Sequence, residues 1–434
     1  MSKAFSEPDR CFMREALDLA ERGRGQTRPN PVVGALLVRG GRVLAQGYHR
    51  RAGLPHAEIE ALSRNGVRAQ GATLYVTLEP CCHQGRTGPC TEAIKRAGIR
   101  RVVVGCCDEN PLVSGRGVLH LRRAGIRVDV GCLDHECQRQ NRAFFLWVRA
   151  HRPWVTLKVA TTLDGFIGSD QISRGEPAGF AGRAPAREGL GTLPGFPLKT
   201  SDPSAHFVTG KAARAHAHRL RSRHDAVLVG VGTVLADNPR LTVRLPGVGG
   251  TGPLRVVLDG HLRTPPSARL IRQLGTPPAL IVGAQPRKGA SDARARLGRE
   301  RALRKAGAEV LLLPADRAGR VLIPSLLRAL AERGVQSLLV EGGSRVHGAF
   351  ISAALVDSVA VFLAPRLVGA GRPIVQGRGL DWRNPLRLGP LEVHAIGEDV
   401  LLQADVIGPK LRRRRNPARR GANARTAPEK QAFP

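Results

Sequence analysis

The sequence predicts an α/β protein of two consecutive domains followed by a basic tail. Three observations predict it. At 434 residues the chain exceeds what one hydrophobic core usually organises. Short apolar, β-branched runs alternate with helix-period segments over residues 1–150 and again over 151–408, a pattern that gives layered α/β folds, with a partly parallel sheet in the first domain and a mixed sheet in the second. The alternation lapses twice, over a Gly-, Pro- and Arg-rich stretch at 172–204 and from residue 409 onward. The first lapse reads as a surface insertion. The second, KLRRRRNPARRGANARTAPEK, has no apolar period and reads as disordered.

In the first domain, Phe12, Met13, Ala16, Leu17 and Ala20 recur at helical spacing over 9–23. Pro29-Asn30-Pro31 forms a turn that excludes helix. VVGALLV at 32–38 reads as a buried strand, Gly40-Gly41 as a hairpin turn and RVLAQGYH as its partner. A helix starts after Pro55. ATLYVTL is the next strand, TEAIKRAGI a short helix, and RRVVVGCCD a strand ending at Asp108. GVLHLRRAGI, RVDVG and DHECQRQNRAFFLWVR supply a helix, a strand and one closing helix.

In the second domain PWVTLKVATT is a strand, Asp164-Gly165 a tight turn, and a second strand starts beyond it. KAARAHAHRLRSR is a helix, HDAVLVGVGT a buried strand, and ADNPRLTVR a loop and short strand. LRVVLDG, PALIVG and EVLLLP are further strands, with ARARLGRERALRKAG helical between the last two. SLLRALAERG, QSLLVEGG and SRVHGAFISAAL repeat helix, strand, helix. SVAVFLAPRLVG and EVHAIGEDVLLQADVIG close a mixed sheet.

The chemistry concentrates in PHAEIEALSRNGVRAQGATLYVTLEPCCHQGRTGPC. His56, Cys81 and Cys90 offer one imidazole and two thiolates, a three-ligand zinc set with the fourth tetrahedral position left for water. Bound Zn²⁺ lowers the pKa of water from 15.7 to about 7, making a nucleophile at neutral pH. Glu58 is the natural proton carrier between that water and a leaving amine. Zinc nucleobase deaminases place two residues between their cysteines; here CHQGRTGP puts eight between Cys81 and Cys90. Spacing alone leaves Cys82 as a competing ligand. In bland terms, a His-x-Glu is a common helix-surface pair and a reduced cysteine is usually a small buried hydrophobe; the conjunction favours the metal.

The net charge of +33 raises a nucleic-acid reading. Against it, Arg is scattered over most segments or gathered in the tail, and 4% aromatic residues leave few stacking platforms. Attraction of small phosphorylated substrates is the milder inference. No run is long and apolar enough to span a bilayer, the N-terminus has no apolar signal core, and eight cysteines do not form a secreted disulfide pattern. A cytoplasmic protein without membrane contact is expected. A homo-oligomer is left open.

HAE, PCCHQGRTGPC and DENPLVSGRG, with the NPVVG turn and GYHRRAG, resemble the deaminase half of the bifunctional riboflavin-biosynthesis deaminase/reductases over residues 9–150. The resemblance implies a three-layer cytidine-deaminase-like domain. In it His56, Cys81 and Cys90 would hold one Zn²⁺ and Glu58 would shuttle protons. Asn30, His49, Arg86, Asp108 and Asn110 would touch the base, ribose and phosphate of the substrate. Gly88 stands where the family usually has Pro, which loosens the loop before Cys90.

KVATTLDG, VGVGTVLADNPRLTVR, VEGG and FLAPRLVG resemble the reductase half of the same family, similar in fold to dihydrofolate reductase, over about 153–408. That implies NADPH contacts from Thr161, Phe207, Thr233, Asp237, Gly342, Gly343, Ser344, Arg345, Val346 and His347. It implies contacts to a phosphorylated ribosylaminopyrimidine from Lys158, Arg221, Leu241, Arg244 and Glu341. Ala205 and Phe207 replace a Ser and a Trp usual at the nicotinamide edge, just after the insertion. The implied activity is hydrolytic deamination of 2,5-diamino-6-(5-phosphoribosylamino)pyrimidin-4-one, then NADPH reduction of the product's ribosyl group to ribityl. The rival readings are a deaminase with an inactive second domain and a basic RNA-binding zinc module.

Overall fold

The structure, a computed structural model, describes residues 5–63, 69–84, 88–168, 207–245, 252–273, 277–286 and 292–407. Arg86, Ala205, the 172–204 stretch and the tail from 409 lie outside these residues.

The first domain runs α1 (Glu7–Glu21), β1 (Gly34–Arg39), β2 (Arg42–Tyr48), α2 (Ala57–Ser63), β3 (Thr73–Leu78), α3 (Cys90–Arg96), β4 (Arg101–Cys106), α4 (Arg116–Arg123), β5 (Arg127–Val130), α5 (Asp134–Gln140) and α6 (Arg142–Ala150). Its sheet has the order β2-β1-β3-β4-β5, antiparallel at β2-β1-β3 and parallel at β3-β4-β5. The strand period of two decides the layers. Leu37, Leu74 and Val102 meet Ala57, Ala61, Ile94 and Leu121 of α2–α4 on one face. Leu36, Tyr75 and Val103 meet Met13, Ala16, Phe144 and Phe145 of α1 and α6 on the other. The domain is therefore the expected three-layer sandwich. Ser6 caps α1 in a capping box with Asp9. Asp9 also accepts from Tyr75 Oη at 2.7 Å and from Arg101. Burial alone would raise its pKa, but Arg101, Tyr75 and Ser6 outweigh it and hold Asp9 down at about 2.

Two glycines set how closely helices approach this sheet. A Cβ on Gly34 would lie 2.0 Å from the Ala16 carbonyl of α1. One on Gly47 would lie 2.4 Å from the Ala57 carbonyl of α2. The second matters for function, because α2 carries Glu58.

The second domain runs β6 (Trp154–Thr162), α7 (Lys211–Ser222), β7 (Ala226–Gly230), α8 (Val231–Asp237), β8 (Leu254–Leu258), β9 (Leu280–Ala284), α9 (Ala293–Lys305), β10 (Glu309–Leu313), α10 (Ile323–Glu332), β11 (Ser337–Gly342), α11 (Ser344–Ser352), β12 (Ser358–Ala364), β13 (Arg387–Leu388), β14 (Glu392–Ile396) and β15 (Asp399–Ile407). Strands β10-β9-β8-β7-β11-β6-β12 are parallel, and β15, β13 and β14 add antiparallel pairs. Leu338 and Val340 pack with Leu326, Leu330 and Phe350 of α10 and α11. On the opposite side Val227, Val229 and Ile281 pack with Val234 and Leu303 of α8 and α9. Among the described residues no helix is long and apolar enough to cross a membrane.

Four local expectations change. The closing helix of the first domain is broken at Asn141, whose side chain turns away to bond both Val32 N and Val32 O, at 3.0 and 2.9 Å. VGTVLAD is helix α8, not the end of a strand: at Gly230 a Cβ would lie 2.6 Å from Val346 Cγ2, so α11 covers the point where the chain leaves the sheet. Packing here overrides the β-propensity of the valines. LTVR forms no strand, because Leu241 takes φ +55° and breaks the extended line. Beyond the Asp164-Gly165 turn only a single bridge, Phe166 to Pro373, replaces the expected strand.

Candidate active sites

The first site gathers at the carboxyl ends of β3 and β4, where α/β sheets commonly bind ligands. Cys81 follows β3, Cys90 opens α3, and His56 immediately precedes α2. Their donor atoms all lie within 4.8 Å of one another. His56 Nδ1 is 3.2 Å from Cys90 Sγ and 3.5 Å from Cys81 Sγ. A tetrahedral zinc with bonds of ~2.05 Å to nitrogen and ~2.3 Å to sulfur sets N and S about 3.6 Å apart. The three donors therefore fit a zinc ion. Cys90 N donates to Cys81 Sγ at 3.4 Å, an outer contact of the kind that orients metal ligands. Cys82 lies outside this cluster and approaches the Leu112 carbonyl at 4.0 Å.

The electrostatics match the donor set. Cys81 is drawn down to about 4 by its hydrogen bond with Cys90 and by His56, so it is a thiolate at neutral pH. The same hydrogen bond, with burial, pushes Cys90 up. The bond with Cys81 raises His56. Glu58, 3% exposed on α2, is pushed up to about 7 by burial and by the Cys81 thiolate. A carboxyl held close to neutrality beside the ligands has the affinity a proton shuttle needs.

His49 stands beside His56 of this cluster, and Asn30 beside His49. The His49 and His56 rings meet edge to face with centroids 5.4 Å apart. The Pro55 carbonyl, 3.1 Å from His49 Nδ1, can only accept, which assigns the proton to Nδ1. Burial lowers the pKa of His49 and keeps it neutral. Its Nε2 then accepts from Asn30 Nδ2 at 3.0 Å, leaving the Asn30 carbonyl oxygen for a ligand. Asp108 is buried, and burial pushes it up to about 6. It accepts from Asn110 N at 2.8 Å, and Asn110 in turn accepts from Leu112 N at 3.0 Å.

Glu79 has a positioning role that its sequence context did not disclose. Its buried carboxylate accepts from the amides of Asp108, Gly115 and Val118, at 3.2, 2.9 and 3.1 Å. It thereby ties the 108–118 loop to the strand that delivers Cys81. Gly117 permits the contact, since a Cβ there would lie 2.0 Å from the Pro80 carbonyl. The available signal was an acid closing an apolar strand directly before Pro80-Cys81.

The second site lies where the strand order reverses, at the carboxyl ends of β7, β11 and β6. Arg221 grips Glu341 bidentately, Nε to Oε1 at 2.5 Å and Nη2 to Oε2 at 2.7 Å, and also reaches the Thr242 carbonyl at 3.2 Å. Burial alone would raise Glu341, but Arg221 and then Lys158 hold it below the usual carboxylate range. Burial lowers Lys158, with Glu341 opposing, and its Nζ stands 5.5 Å from the Phe362 ring centroid. Lys158, Arg221 and Glu341 thus form one electrostatic group. Leu241 is buried beside it in the chain, and exposed Arg244 reaches His218 Nε2 at 3.4 Å.

Gly342 and Gly343 carry the chain from β11 into α11, Gly343 at φ +87°. No side chain caps α11, so its first amides are free to meet an anion. Ser344 Oγ and His347 Nε2 are buried without a protein partner. Exposed Arg345 and buried Val346 occupy the same turn. A Cβ on Gly342 would lie 3.3 Å from Thr233 Oγ1, so α8 closes over the glycines. This open cradle fits a phosphate-bearing cofactor. Asp237 is exposed at the end of α8. The Thr161 hydroxyl is spent within the turn, donating to the Thr162 and Phe166 carbonyls at 3.1 and 3.2 Å. Phe207 is 51% exposed under the Arg214 guanidinium, 4.4 Å from the ring centroid.

Cys82→Ser is expected to keep zinc at the wild-type content, whereas Cys81→Ser loses it, as read by metal analysis of the purified protein. Zinc loss in the Cys82 variant would reassign the ligand.

Residues 6–106 match the family model described as the cytidine and deoxycytidylate deaminase zinc-binding region, and residues 153–402 match the RibD C-terminal domain. A riboflavin biosynthesis protein RibD of Aquifex aeolicus is 39% identical over 396 residues, covering 91% of this chain and 98% of that protein. The solved structure of Acinetobacter baumannii RibD is similar with TM-score 0.73 and 32% identity, covering 92% of this chain and 99% of that one. A Thermotoga maritima structure, described as a diaminohydroxyphosphoribosylaminopyrimidine deaminase/5-amino-6-(5-phosphoribosylamino)uracil reductase, gives TM-score 0.72 and 34% identity, covering 92% and 99%.

Proposed function

The chain belongs to the RibD family of riboflavin biosynthesis proteins, a zinc-binding deaminase joined to a reductase in one polypeptide, and from that premise we propose which residues carry each step. Residues 1–150 are the deaminase and 151–408 the reductase. The substrate of the first is 2,5-diamino-6-(5-phosphoribosylamino)pyrimidin-4-one. The observation that carries the reading is that one chain presents both a His56–Cys81–Cys90 donor cluster beside Glu58 and a Lys158–Arg221–Glu341 group next to the Gly342-Gly343 cradle.

In the deaminase, His56, Cys81 and Cys90 hold zinc, which when bound supplies water acidified to near neutrality. Glu58 accepts the proton that the attacking water gives up and delivers it to the exocyclic nitrogen, so the amine leaves as ammonia. Asn30 offers its amide oxygen to the pyrimidine edge, held in that orientation by His49. Asp108 and Asn110 line the sugar side, and Arg86 takes the phosphate, a task suited to a guanidinium fork.

In the reductase, Gly342 to His347, with Thr161, Phe207, Thr233 and Asp237, hold NADPH, which supplies the hydride. Protein groups contribute placement and electrostatics. The Lys158 ammonium stabilises charge on the sugar oxygen as the ribosyl group becomes ribityl. Arg221, Leu241, Arg244 and Glu341 position the substrate. The test is to supply 5-amino-6-(5-phosphoribosylamino)uracil with NADPH. Oxidation of the cofactor supports the assignment; none, beside intact ammonia release from the diaminopyrimidine, leaves only the first half standing.

A further inference from the structure

The turn that carries Asn30 is gripped by the other domain. Arg28 Nε lies 3.2 Å from Asp225 Oδ1 and Arg28 Nη1 donates to the Asp225 carbonyl at 3.0 Å. Gln336 Nε2 donates to the Pro29 carbonyl. Asp225 is itself fixed: its Oδ2 accepts from Gln336 N at 2.8 Å and from Ser337 N at 3.0 Å. Gly25 runs so close to α7 that a Cβ would lie 2.8 Å from the Ser222 carbonyl. From the deaminase side Asn141 holds Val32. These groups line one narrow cleft between the domains, and Asn30 is in its wall. Through His49 the same Asn30 side chain is linked to the ring that packs on the ligand His56.

We propose that Gln336 and Asp225 of the reductase domain are positioning residues for the deaminase: through Pro29 and Arg28 they hold the turn that presents Asn30 to the pyrimidine. This rests on Asn30 being a substrate contact, as read above. The physical argument is that a short Pro-flanked turn has no sheet or helix to fix it. Besides its own Asn30 N–Thr27 carbonyl bond and the Asn30–His49 contact, it is tied by Asn141 behind it and by the Arg28–Asp225 and Gln336–Pro29 contacts in front. A contact to the pyrimidine edge that is made alike in the ground and transition states raises KM when it is displaced and leaves kcat nearly unchanged. The grip sits at the amino ends of β7 and β11, whereas Glu341 and the Gly342-Gly343 cradle sit at the carboxyl end of β11. Arg221, on α7 four residues before Asp225, is held by Glu341 and the Thr242 carbonyl and not by the gripping groups. Loosening the grip is therefore expected to leave reduction in place.

The test uses the full chain. Arg28→Met and Gln336→Met each remove one tie without adding charge. Both are expected to raise KM for ammonia release from the diaminopyrimidine phosphate by about tenfold. Zinc content, kcat within a few-fold of wild type, and NADPH oxidation with separately supplied deaminated substrate are expected to hold. Arg28→Lys, which keeps a cation facing Asp225, restores most of the KM. In an Asn30→Ala background Gln336→Met adds nothing, because its effect runs through the missing side chain. The two failures are distinguishable. If Asn30→Ala leaves deamination unchanged, the assignment of Asn30 falls and takes the proposal with it. If Asn30→Ala raises KM but Arg28→Met and Gln336→Met do not, the positioning role alone is overturned. A parallel loss of reduction in the Gln336 variant, with Arg28→Met silent, would also overturn it by marking Gln336 as merely structural.

Discussion

Glu58→Gln is expected to lower deamination by on the order of 10³-fold or more, while zinc stays bound at the wild-type level. The amide keeps the size and the buried seat on α2 but cannot take a proton from water or return one to nitrogen. The carboxyl lies beside the Cys90 thiol and is not among the clustered donors, so the metal keeps its three protein ligands. Ammonia release and metal content measured on one preparation separate the roles: zinc lost together with activity would make Glu58 a ligand. Reduction of the separately supplied uracil derivative is expected to continue in this variant.

Glu341→Gln is expected to abolish reduction and to destabilise the second domain by about 3–5 kcal/mol, because breaking a buried ion pair strands the partner charge. Here Arg221 and Lys158 are both left against a neutral side chain. Adding Arg221→Met is expected to recover part of the stability, since removing both partners costs less than removing one. It does not recover activity. Thermal melts followed with NADPH oxidation check this, and a Glu341→Gln protein with an unchanged melt and intact turnover would show that the pair is incidental.

The layered architecture and the clustering of the His56, Cys81 and Cys90 donors were legible because each rests on a local pattern. The strand period of β1 and β3 fixes which residues face which helices, and His56, Cys81 and Cys90 sit at a helix start, a strand end and another helix start. What escaped depended on distant contacts. Asn141 breaks the closing helix because Val32, more than a hundred residues earlier, offers an unpaired amide and carbonyl. The VGT at 231–233 reads as the end of a strand and instead opens helix α8, because α11 covers Gly230. Glu79 looks like part of a motif, and only the folded loop reveals the three amides it holds. The grip of Gln336 on Pro29 joins residues at opposite ends of the chain, which no window could show. The rival readings of the sequence, an inactive second domain or a basic RNA-binding module, are not favoured, since family models match both halves.

The most direct test of the two-step account is a progress curve on one preparation of the full chain with 2,5-diamino-6-(5-phosphoribosylamino)pyrimidin-4-one, following ammonia and NADPH together. The account predicts ammonia release without NADPH, then, once NADPH is added, its oxidation up to an amount equal to the ammonia formed. Ammonia release with no oxidation of NADPH, or NADPH oxidised with no ammonia released, would contradict it.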